Sequence, residues 1–487
     1  MEIRAILTRY SAKDSRIKVV FRAENGHISA ASNSALELVT GEWVGLLDHD
    51  DLLSSDALFS VAEIINLNPA ANLIYSDEDK IDSGGVRSLP FFKPDWSPHL
   101  AISQAYIGHF ACYSTDILKK IGGFDIKLSG AQDYDLWLRA SLISQEIIHI
   151  PKILYHWRMH PQSTAASGAA KPYAHEAGRL AIEKYLSSKY KYSLINAVDG
   201  VHSFTYGAKF NLVKSDVVSI IIPTRDKIEL LRDCIDSIFE KSSWLNYEII
   251  VVNNGSMADE SNQYFQEIQS KTKNVKVVDA DIPFNWSRLN NIGASAASGN
   301  YYIFLNNDTK VISESWMESL VGYASLPDVG VVGALLLFED GTIQHSGVVV
   351  GMGGWADHVF RTMKPMHSGG GPFISPVLTR NVLAVTGACL AISRQRFDEL
   401  GKFDEEFVIC GSDVELGLRA YKKGYFNVMC AEARLLHYES KTRTPHVPDC
   451  DFIQSNIKYA PYRLEKIDPF FSPNLSMDVT FPKIKHS

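Results

Sequence analysis

The chain has 487 residues, a formal net charge of −8 and 46% apolar residues. This length fits two or three domains with full cores. A nucleic-acid binder needs a basic face, so the acidic balance argues against nucleic acid as a partner. No apolar run reaches the length of a membrane span, the start "MEIRAILTRYSAKD" is charged, and the six cysteines form no CxxC pair. These features predict a cytoplasmic protein with reduced thiols and no secretion signal.

The first half contains a short acidic stretch between a strand and a helix. The apolar run "EWVGLL" predicts a buried strand, and "SSDALFSVAEIIN" has the spacing of a helix. Between them lies "DHDD", residues 48–51. Taken alone, this stretch favours a solvated turn in which an Asp caps the next helix. The alternative is a site for a positively charged group.

The second half begins with a regular alternation of strands and helices. "VVSIIIP", starting at Val217, is a β-branched run typical of a central parallel strand, and "KIELLRDCIDSIFEKS" follows with helical spacing. The strands "YEIIVVN", "NVKVVDA" and "YYIFL" continue the pattern, which predicts a parallel sheet with right-handed crossovers. Ligands bind such sheets at the carboxyl ends of the strands, where "PTRD", "NNGS" and "NND" lie. No GxGxxG follows the first strand, which argues against a dinucleotide-dependent oxidoreductase.

The two halves are copies of one another. Asp50 matches Asp308 and Asn33 matches Asn291, each at a separation of 258 residues. Further along, "GHFACYSTDILKKIGGFD" matches "GACLAISRQRFDELGKFD" at a separation of 279 residues. His156 then matches His437 at a separation of 281 residues. A period this long indicates a duplicated domain rather than a solenoid. We therefore predict one domain over residues 1–195 and a second over 196–487.

The first copy is expected to be shorter at its start. At a separation of 258 residues, Met1 falls opposite Asp259, so the strand–helix–strand unit from Val217 to Ser256 has no counterpart in the first copy. A sheet without this unit exposes a strand edge. We expect self-association through that edge, or its coverage by the connector near residues 193–215 or a neighbouring domain.

Each half resembles the family 2 glycosyltransferases of the GT-A fold, inverting enzymes of bacterial surface polysaccharide synthesis. The motifs that carry the resemblance are "VSIIIPTRD", "VVNNGS", "FNWSRLNNIGASAASGNYYIFLNNDT", "GTIQHSGVVVGMGG" and "GSDVELGLRA" in the second half, and "NGHISAASNSALELVTGEWVGLLDHDD" and "QDYDLWLRA" in the first. The resemblance implies two α/β domains in tandem, each a Rossmann-like, mostly parallel GT-A sheet. It also implies a metal-dependent hexosyltransferase of the O-antigen or rhamnan type. Such an enzyme takes a nucleotide-diphosphate sugar as donor and a growing or lipid-linked glycan as acceptor, at the inner face of the cell membrane.

The resemblance also implies a divalent cation, Mg²⁺ or Mn²⁺, held by carboxylates and a late histidine. Such a cation neutralises the charge that develops on the leaving diphosphate. In the first copy the matching residues are Asp48, Asp50 and His156. The second copy keeps Asp308 and His437 but has Asn306 in place of one acid, which predicts weaker metal binding. A lone histidine is more often a core or turn residue, and the repetition in both copies favours the metal role.

A carboxylate near the anomeric carbon can act as general base for the acceptor hydroxyl. Asp413 and Asp133 match the family's base position, each just before an amphipathic helix. An Asp there is also a common helix N-cap. The two roles are compatible.

The predicted nucleotide site lies in the second copy. Its members are Pro223, Thr224, Asp226, Asn254, Arg288 and Asn291. Asn254 stands where the family often has Asp, and its side-chain carbonyl can accept a hydrogen bond from a base. The alternative for "NNGS" is a plain turn. The long glycine-rich loop between Gly351 and Gly371 is either a lid over the ligands or a surface excursion.

Two functions from different classes remain. The first is a glycosyltransferase whose second domain is active. In that case Asp48 and Asp50 form a metal site inherited by a first domain that cannot use it. The second is a non-catalytic scaffold, a duplicated pseudoenzyme that binds nucleotide or glycan.

Overall fold

A computed structural model describes residues 2–159, 172–191, 195–213, 215–244, 246–367, 371–438, 447–465 and 467–485. Positions 368–370 of the glycine-rich loop lie outside the described residues. The chain forms two compact units. The first comprises Met1–Phe91, Gln104–Tyr192 and Asn196–Ala208, and the second comprises Phe92–Ser103, Ser193–Ile195 and Lys209–Ser487. No helix in the described part of the chain has the length and apolar character needed to cross a bilayer.

The helices are α1 (Glu2–Lys13), α2 (His27–Leu36), α3 (Ala57–Leu67), α4 (Leu100–Ser103), α5 (Thr115–Ile121), α6 (Gln132–Ser141), α7 (Pro172–Lys189), α8 (Ile228–Lys241), α9 (Asp259–Lys271), α10 (Trp286–Ala296), α11 (Trp316–Ala324), α12 (Arg394–Leu400), α13 (Ser412–Lys422) and α14 (Asp449–Glu465). The first ten strands are β1 (Trp43–Gly45), β2 (Leu52–Leu53), β3 (Ala71–Ile81), β4 (Arg87–Phe91), β5 (Ala111–Ser114), β6 (Glu146–Arg158), β7 (Ile195–Asp199), β8 (Tyr206–Phe210), β9 (Val218–Thr224) and β10 (Tyr247–Asn253). The others are β11 (Val275–Asp279), β12 (Tyr301–Leu305), β13 (Thr309–Val311), β14 (Val329–Leu337), β15 (Ile343–His345), β16 (Val348–Val350), β17 (Ala356–His358), β18 (Arg380–Val382), β19 (Cys389–Ser393) and β20 (Phe426–His437).

The second unit is built on a large sheet with the order β11-β10-β9-β12-β19-β14-β20-β13, to which β15 and β18 are added. Strands β11, β10, β9 and β12 are parallel, as the strand–helix alternation predicts. Strand β19 then runs antiparallel to both of its neighbours. The α/β GT-A class is confirmed, but the sheet is mixed rather than mostly parallel. Beyond β12, strands β14 and β20 are parallel to each other, whereas β13, β15 and β18 pair antiparallel with their neighbours.

The first unit contains a smaller sheet with the order β1-β5-β3-β6-β2, and β4 pairs with β3. Only β3 and β6 are parallel in the described residues of this sheet. Its core includes Ala57 and Val61 of α3 and Ile74 of β3, packed around Leu154 and Tyr155 of β6. The predicted strand "EWVGLL" therefore forms a short β1, and it lies at the edge of the sheet.

The duplication extends to the details of the helix ends. Helix α5 is capped by Ser114, whose hydroxyl accepts the third N–H of the helix, and it ends at Gly122 in the left-handed conformation. Helix α12 is capped by Ser393 in the same way and ends at left-handed Gly401. Left-handed backbone at a helix end favours glycine because a Cβ is strained there. The same short sequence pattern has thus produced the same local structure twice.

The copies differ at their starts. Strand β12 lies between β9 and β19, whereas β1 pairs only with β5 among the described strands. Helix α1 matches α9 in sequence position, yet α1 has no buried residue, while Tyr264, Phe265 and Ile268 of α9 are buried. The apolar side chains of α1 are therefore left exposed in the described first unit.

Candidate active site

The carboxyl ends of the first parallel strands of the second unit meet at one place. Thr224 is the last residue of β9, and its hydroxyl accepts a hydrogen bond of 3.0 Å from the amide of Asn307, which follows β12. The backbone N–H of Asn254, just after β10, donates to the carbonyl of Thr224 at 2.8 Å. This convergence follows from the parallel register of the three strands.

Asn254 presents a hydrogen-bond acceptor in this crevice. Its NH₂ group donates to the carbonyls of Ala280 and Ile282, each at 2.8 Å, and these two acceptors fix the orientation of the amide. The residue is 2% exposed, and its Oδ1 has no hydrogen-bond partner among the described residues. A buried acceptor without a partner is costly unless a ligand satisfies it.

Asp226 lies at the same edge but has a clear structural contact. Its Oδ1 accepts the N–H groups of Met257 and Ala258 at 2.9 and 3.0 Å, just before α9. The residue adopts the left-handed backbone conformation, with φ at 51°. This arrangement holds the turn after β9 against the start of α9. Pro223 lies within β9, where it pairs with Val252.

Two other predicted nucleotide ligands, Arg288 and Asn291, lie in α10, and the side-chain amide of Asn291 is engaged in hydrogen bonds within the protein. Asn291 donates to the carbonyl of Phe403 at 2.9 Å and accepts that residue's N–H at 3.2 Å. Asn33 forms the same pair with Phe124 in the first unit. The repeated asparagine thus anchors a loop in both copies. Arg288 is half exposed, with Nε 4.0 Å from a carboxylate oxygen of Glu405.

The predicted metal ligands of the second unit do come together. Asp308 follows β12, and His437 ends β20, directly opposite Thr309 in the sheet. Oδ1 of Asp308 lies 3.2 Å from Nε2 of His437, and both side chains are buried. A carboxylate oxygen and an imidazole nitrogen at this separation suit a divalent cation such as Mn²⁺.

The sequence motifs identify Asn306 and His437 but not the groups that hold them. Asn306 Oδ1 accepts from the indole N–H of Trp286 at 3.3 Å, and its Nδ2 lies 3.4 Å from Nε2 of His437. On the other side of the ring, Nδ1 lies 2.8 Å from the side-chain amide of Gln344. Gln344 belongs to the motif "GTIQHSGVVVG", which was the available signal for it.

Asp413 lies in the first turn of α13, inside the helix rather than at the N-cap, which is Gly411. Its two oxygens accept the N–H groups of Gly387 and Val414 at 2.7 and 2.8 Å. A Cβ at Gly387 would lie 2.6 Å from the ring of Trp286, so only glycine allows this close approach. Asp413 and the Trp286–Asn306 pair are thereby held around one backbone position.

The glycine-rich insertion contributes one further group near Asp413. His358, at the end of β17, has its Nδ1 2.9 Å from the carbonyl of Gln344. Burial lowers the pKa of His358, while the hydrogen bond to that carbonyl and the negative charges of Asp357 and Asp413 oppose the shift. Asp413 thus contributes to the electrostatic environment of this part of the loop.

The first unit groups its acidic residues differently from the prediction. Among the described residues, ligand atoms of Asp48, Asp51 and His109 all lie within 4.8 Å of one another. Asp51 is buried and held by the hydroxyl of Tyr155 and, at 2.8 Å, by the N–H of Arg158. The prediction had Asp50 and His156 beside Asp48.

The other two predicted ligands have separate contacts. The carbonyl of Asp50 accepts from Arg158 Nε at 2.6 Å, and its carboxylate lies 3.8 Å from His49. His156 is buried, with Nδ1 2.6 Å from Asp79. Strand β2 pairs Leu52 with His156, so the strand register sets where this histidine lies.

Asp133, the predicted base of the first unit, affects the pKa of Asp48. Burial raises the pKa of Asp48, the neighbouring carboxylates of Asp51, Asp133 and Asp50 raise it further, and His109 opposes the shift. Several carboxylates around one half-exposed acid are an environment that a cation would stabilise. The oxygens and the imidazole of this group fit a divalent metal.

The family model described as "Glycosyl transferase family 2" matches residues 2–122 and 219–400, one stretch in each copy. Because the match covers more than half of the chain, the chain belongs to this family.

Its relatives include longer proteins. The chain is 40% identical over 489 residues to the uncharacterized protein y4gI of Sinorhizobium fredii, covering 98% of this chain and 53% of that protein. It is 38% identical over 476 residues to the O-antigen biosynthesis protein RfbC of Myxococcus xanthus, covering 98% of this chain and 37% of that protein. The chain thus spans about half, or less, of the length of these relatives.

Among solved structures, similarity is found to GalNAc-T7 with UDP, GalNAc and Mn²⁺. The TM-score is 0.42 and the identity 17%, over 55% of this chain and 53% of that one. A mannosyltransferase from Pyrobaculum calidifontis in complex with GDP-Man and Mn²⁺ has a TM-score of 0.38 and 16% identity, over 53% and 67% of the two chains.

Proposed function

We propose that the second unit transfers a hexose, with inversion, from a nucleotide-diphosphate sugar to a growing or lipid-linked bacterial surface glycan. The observation that carries the proposal is the meeting of three groups in one unit. They are the unsatisfied acceptor of Asn254, the Asp308–His437 pair and the carboxylate of Asp413. The O-antigen role in the name of the Myxococcus relative supports the acceptor class.

Asn254 supports the nucleotide part of the proposal. Because its NH₂ is held by two carbonyls, only its oxygen can face a ligand. An oxygen acceptor matches the ring N–H of uracil, thymine or guanine, whereas the equivalent ring nitrogen of cytosine is itself an acceptor. We therefore propose UDP-, dTDP- or GDP-sugars as donors.

The chemistry assigns a role to each group. Asp308 and His437 would hold a Mg²⁺ or Mn²⁺ ion, which supplies positive charge to the diphosphate when bound. Asp413 takes the proton from the acceptor hydroxyl as that oxygen attacks the anomeric carbon. The new glycosidic bond forms while the bond from the anomeric carbon to the diphosphate oxygen breaks, and the nucleoside diphosphate leaves. A single displacement of this kind inverts the anomeric centre.

For the first unit we propose cation binding without transfer of its own. Asp48, Asp51 and His109 are the candidate ligands, and Asp133 is close enough to influence Asp48. Among the described residues of this unit, no strand pairs with β1 on the side where β9 pairs with β12. Within the described residues, the first unit therefore offers no counterparts of Thr224 and Asn254 beside β1, and transfer by these residues alone would lack their positioning of the nucleoside.

The test is release of nucleoside diphosphate from a panel of UDP-, dTDP- and GDP-sugars, and of CMP from CMP-sugars, with Mn²⁺ or Mg²⁺ and with EDTA. We expect metal-dependent release from a donor with a ring N–H. Asp308→Ala should remove it, since one of two protein ligands is lost. Nucleotide binding without release from any donor would instead support the non-catalytic scaffold. Unchanged metal dependence in Asp308→Ala would contradict the metal assignment.

A further inference from the structure

His437 has polar neighbours on both ring nitrogens, and these neighbours favour different positions of the ring proton. A neutral imidazole carries one proton, so one nitrogen donates and the other accepts. Nε2 lies 3.2 Å from Oδ1 of Asp308 and 3.4 Å from Nδ2 of Asn306. The carboxylate favours a proton on Nε2, and the amide NH₂ favours a lone pair there. A cation shared by Asp308 and His437 also requires the lone pair on Nε2.

The orientation of Asn306 is set by Trp286. An indole N–H can only donate, so the atom of Asn306 that faces it at 3.3 Å must be the oxygen. The NH₂ of Asn306 is then left facing His437. With its oxygen directed at Trp286, Asn306 is a partner of the histidine rather than a metal ligand, although it occupies the place of an acid in the motif.

The first unit shows how a histidine in this position is held. Nδ1 of His156 lies 2.6 Å from Oδ1 of Asp79, and a carboxylate can only accept. The proton of neutral His156 is therefore on Nδ1, and the lone pair is on Nε2. Histidines that bind metals are commonly oriented in this way by an acceptor on the other ring nitrogen.

Gln344 occupies the corresponding place beside Nδ1 of His437, from a different strand. The nitrogen of its side-chain amide lies 2.8 Å from Nδ1, so in this structure the amide donates to that ring nitrogen. A half-turn of this amide exchanges its nitrogen and oxygen at the same position. Gln344 can therefore donate to Nδ1 when Nε2 is protonated against Asp308, and accept from Nδ1 when Nε2 needs its lone pair.

We propose that Gln344 is a positioning residue for metal binding, which places the proton of His437 on Nδ1 and so presents the Nε2 lone pair, beside Asp308, to a divalent cation. This inference rests on the proposed metal role of Asp308 and His437. It assigns the Gln of "GTIQHSGVVVG" a role through the histidine, without contact with the cation.

The experiment measures Mn²⁺ binding by the full chain from the electron paramagnetic resonance signal of free Mn²⁺. All variants carry D48N and H109Q, so that the candidate ligands of the first unit do not contribute. Gln344→Met keeps the length of the side chain but removes the amide, and we expect Mn²⁺ affinity to fall about 10- to 100-fold. Gln344→Glu can only accept, as Asp79 does, and should bind within a few-fold of the parent or more tightly.

A second readout reports the histidine itself. The ¹⁵N shifts of the imidazole, assigned by comparison with His437→Gln, distinguish a proton on Nδ1 from one on Nε2. We expect the Nδ1-protonated form in Gln344→Glu and in the Mg²⁺-loaded parent. A proton on Nε2 in either sample would overturn the proposal.

The outcomes separate the inference from the proposed function. If Asp308→Ala binds Mn²⁺ as well as its parent, the metal site itself is misplaced. If Asp308→Ala loses binding while Gln344→Met retains parental affinity, only the role of Gln344 is overturned. Should Gln344→Met not fold, Gln344→Glu decides, because a loss of affinity beyond 10-fold in that variant contradicts the proposal.

Discussion

Replacing Asp413 with Asn tests the proposed base and has two separable consequences. The carboxylate accepts one N–H on each oxygen, from Gly387 at 2.7 Å and from Val414 at 2.8 Å. An amide has a single oxygen, so one of these N–H groups must face an NH₂. The lost bond should lower the free energy of unfolding by about 1–3 kcal/mol. Loss of the base should lower turnover by about 10²- to 10⁴-fold.

Asp133→Asn is the matched control in the first unit. Among the described residues, one backbone N–H, that of Tyr134 at 2.9 Å, donates to its carboxylate, and the oxygen of Asn can keep that bond. We expect Asp133→Asn to leave both the stability and the transfer activity of the full chain nearly unchanged.

The assay pairs urea unfolding with nucleoside diphosphate release and with calorimetric binding of the nucleotide. For Asp413→Asn we expect nearly normal nucleotide affinity, because Asn254 and Thr224 are untouched. Normal turnover in this variant, or a loss explained entirely by unfolding, would remove Asp413 from the mechanism. If Asp133→Asn abolishes one of two distinguishable transfer activities, the first unit is itself a working transferase.

Three further predictions concern the second unit. Asn254→Asp introduces the acid that the family usually has at this position. It places an oxygen instead of the NH₂ group against two carbonyls at 2.8 Å, so the free energy of unfolding in a denaturant titration should fall by about 2–4 kcal/mol. Unchanged stability would refute this. Two groups of the segment Phe92–Ser103 each donate a hydrogen bond to Asn381 at 3.0 Å. Asn381→Ala removes this acceptor and should therefore give faster hydrogen exchange in that segment. Unaltered exchange would contradict the contact. Burial raises the pKa of Asp468 to about 7, so the folded state binds the proton more tightly than the unfolded state. The contribution of this carboxyl to stability is therefore fully present below about pH 4, falls as the pH rises to about 7 and then levels off, by at most about 4 kcal/mol. Asp468→Asn should flatten that part of the stability–pH curve, and an unaltered slope would show that other groups cause it.

Local patterns in the sequence were sufficient for much of the fold. The β-branched runs that became β9 and β10 could be recognised because parallel strands buried on both faces leave no polar alternation. The repeated Ser and Gly that cap α5 and α12 form their capping hydrogen bonds to residues a few positions away, so their effect also depends on local sequence. The fixed separations between the halves then predicted the duplication, and the resemblance to the family implied that Asp308 and His437 share a metal site.

Contacts between distant residues were decided by the tertiary structure alone. The partners of Asp48 are Asp51 and His109, because the strand register holds Asp51 against Tyr155 and draws His156 to Asp79. The side chain of Asn291 donates a hydrogen bond to the carbonyl of Phe403, far along the chain, and no local sequence pattern predicts this contact.

Two further features depend on the same kind of contact. The segment Phe92–Ser103 belongs by sequence to the first copy, yet it joins the compact second unit, where its polar groups bond to Asn381. Gln344 reaches His437 only because β15 and β20 both pair with β14. Periodicity and capping act over a few residues, whereas side-chain partners at a site depend on which strands the whole sheet brings together.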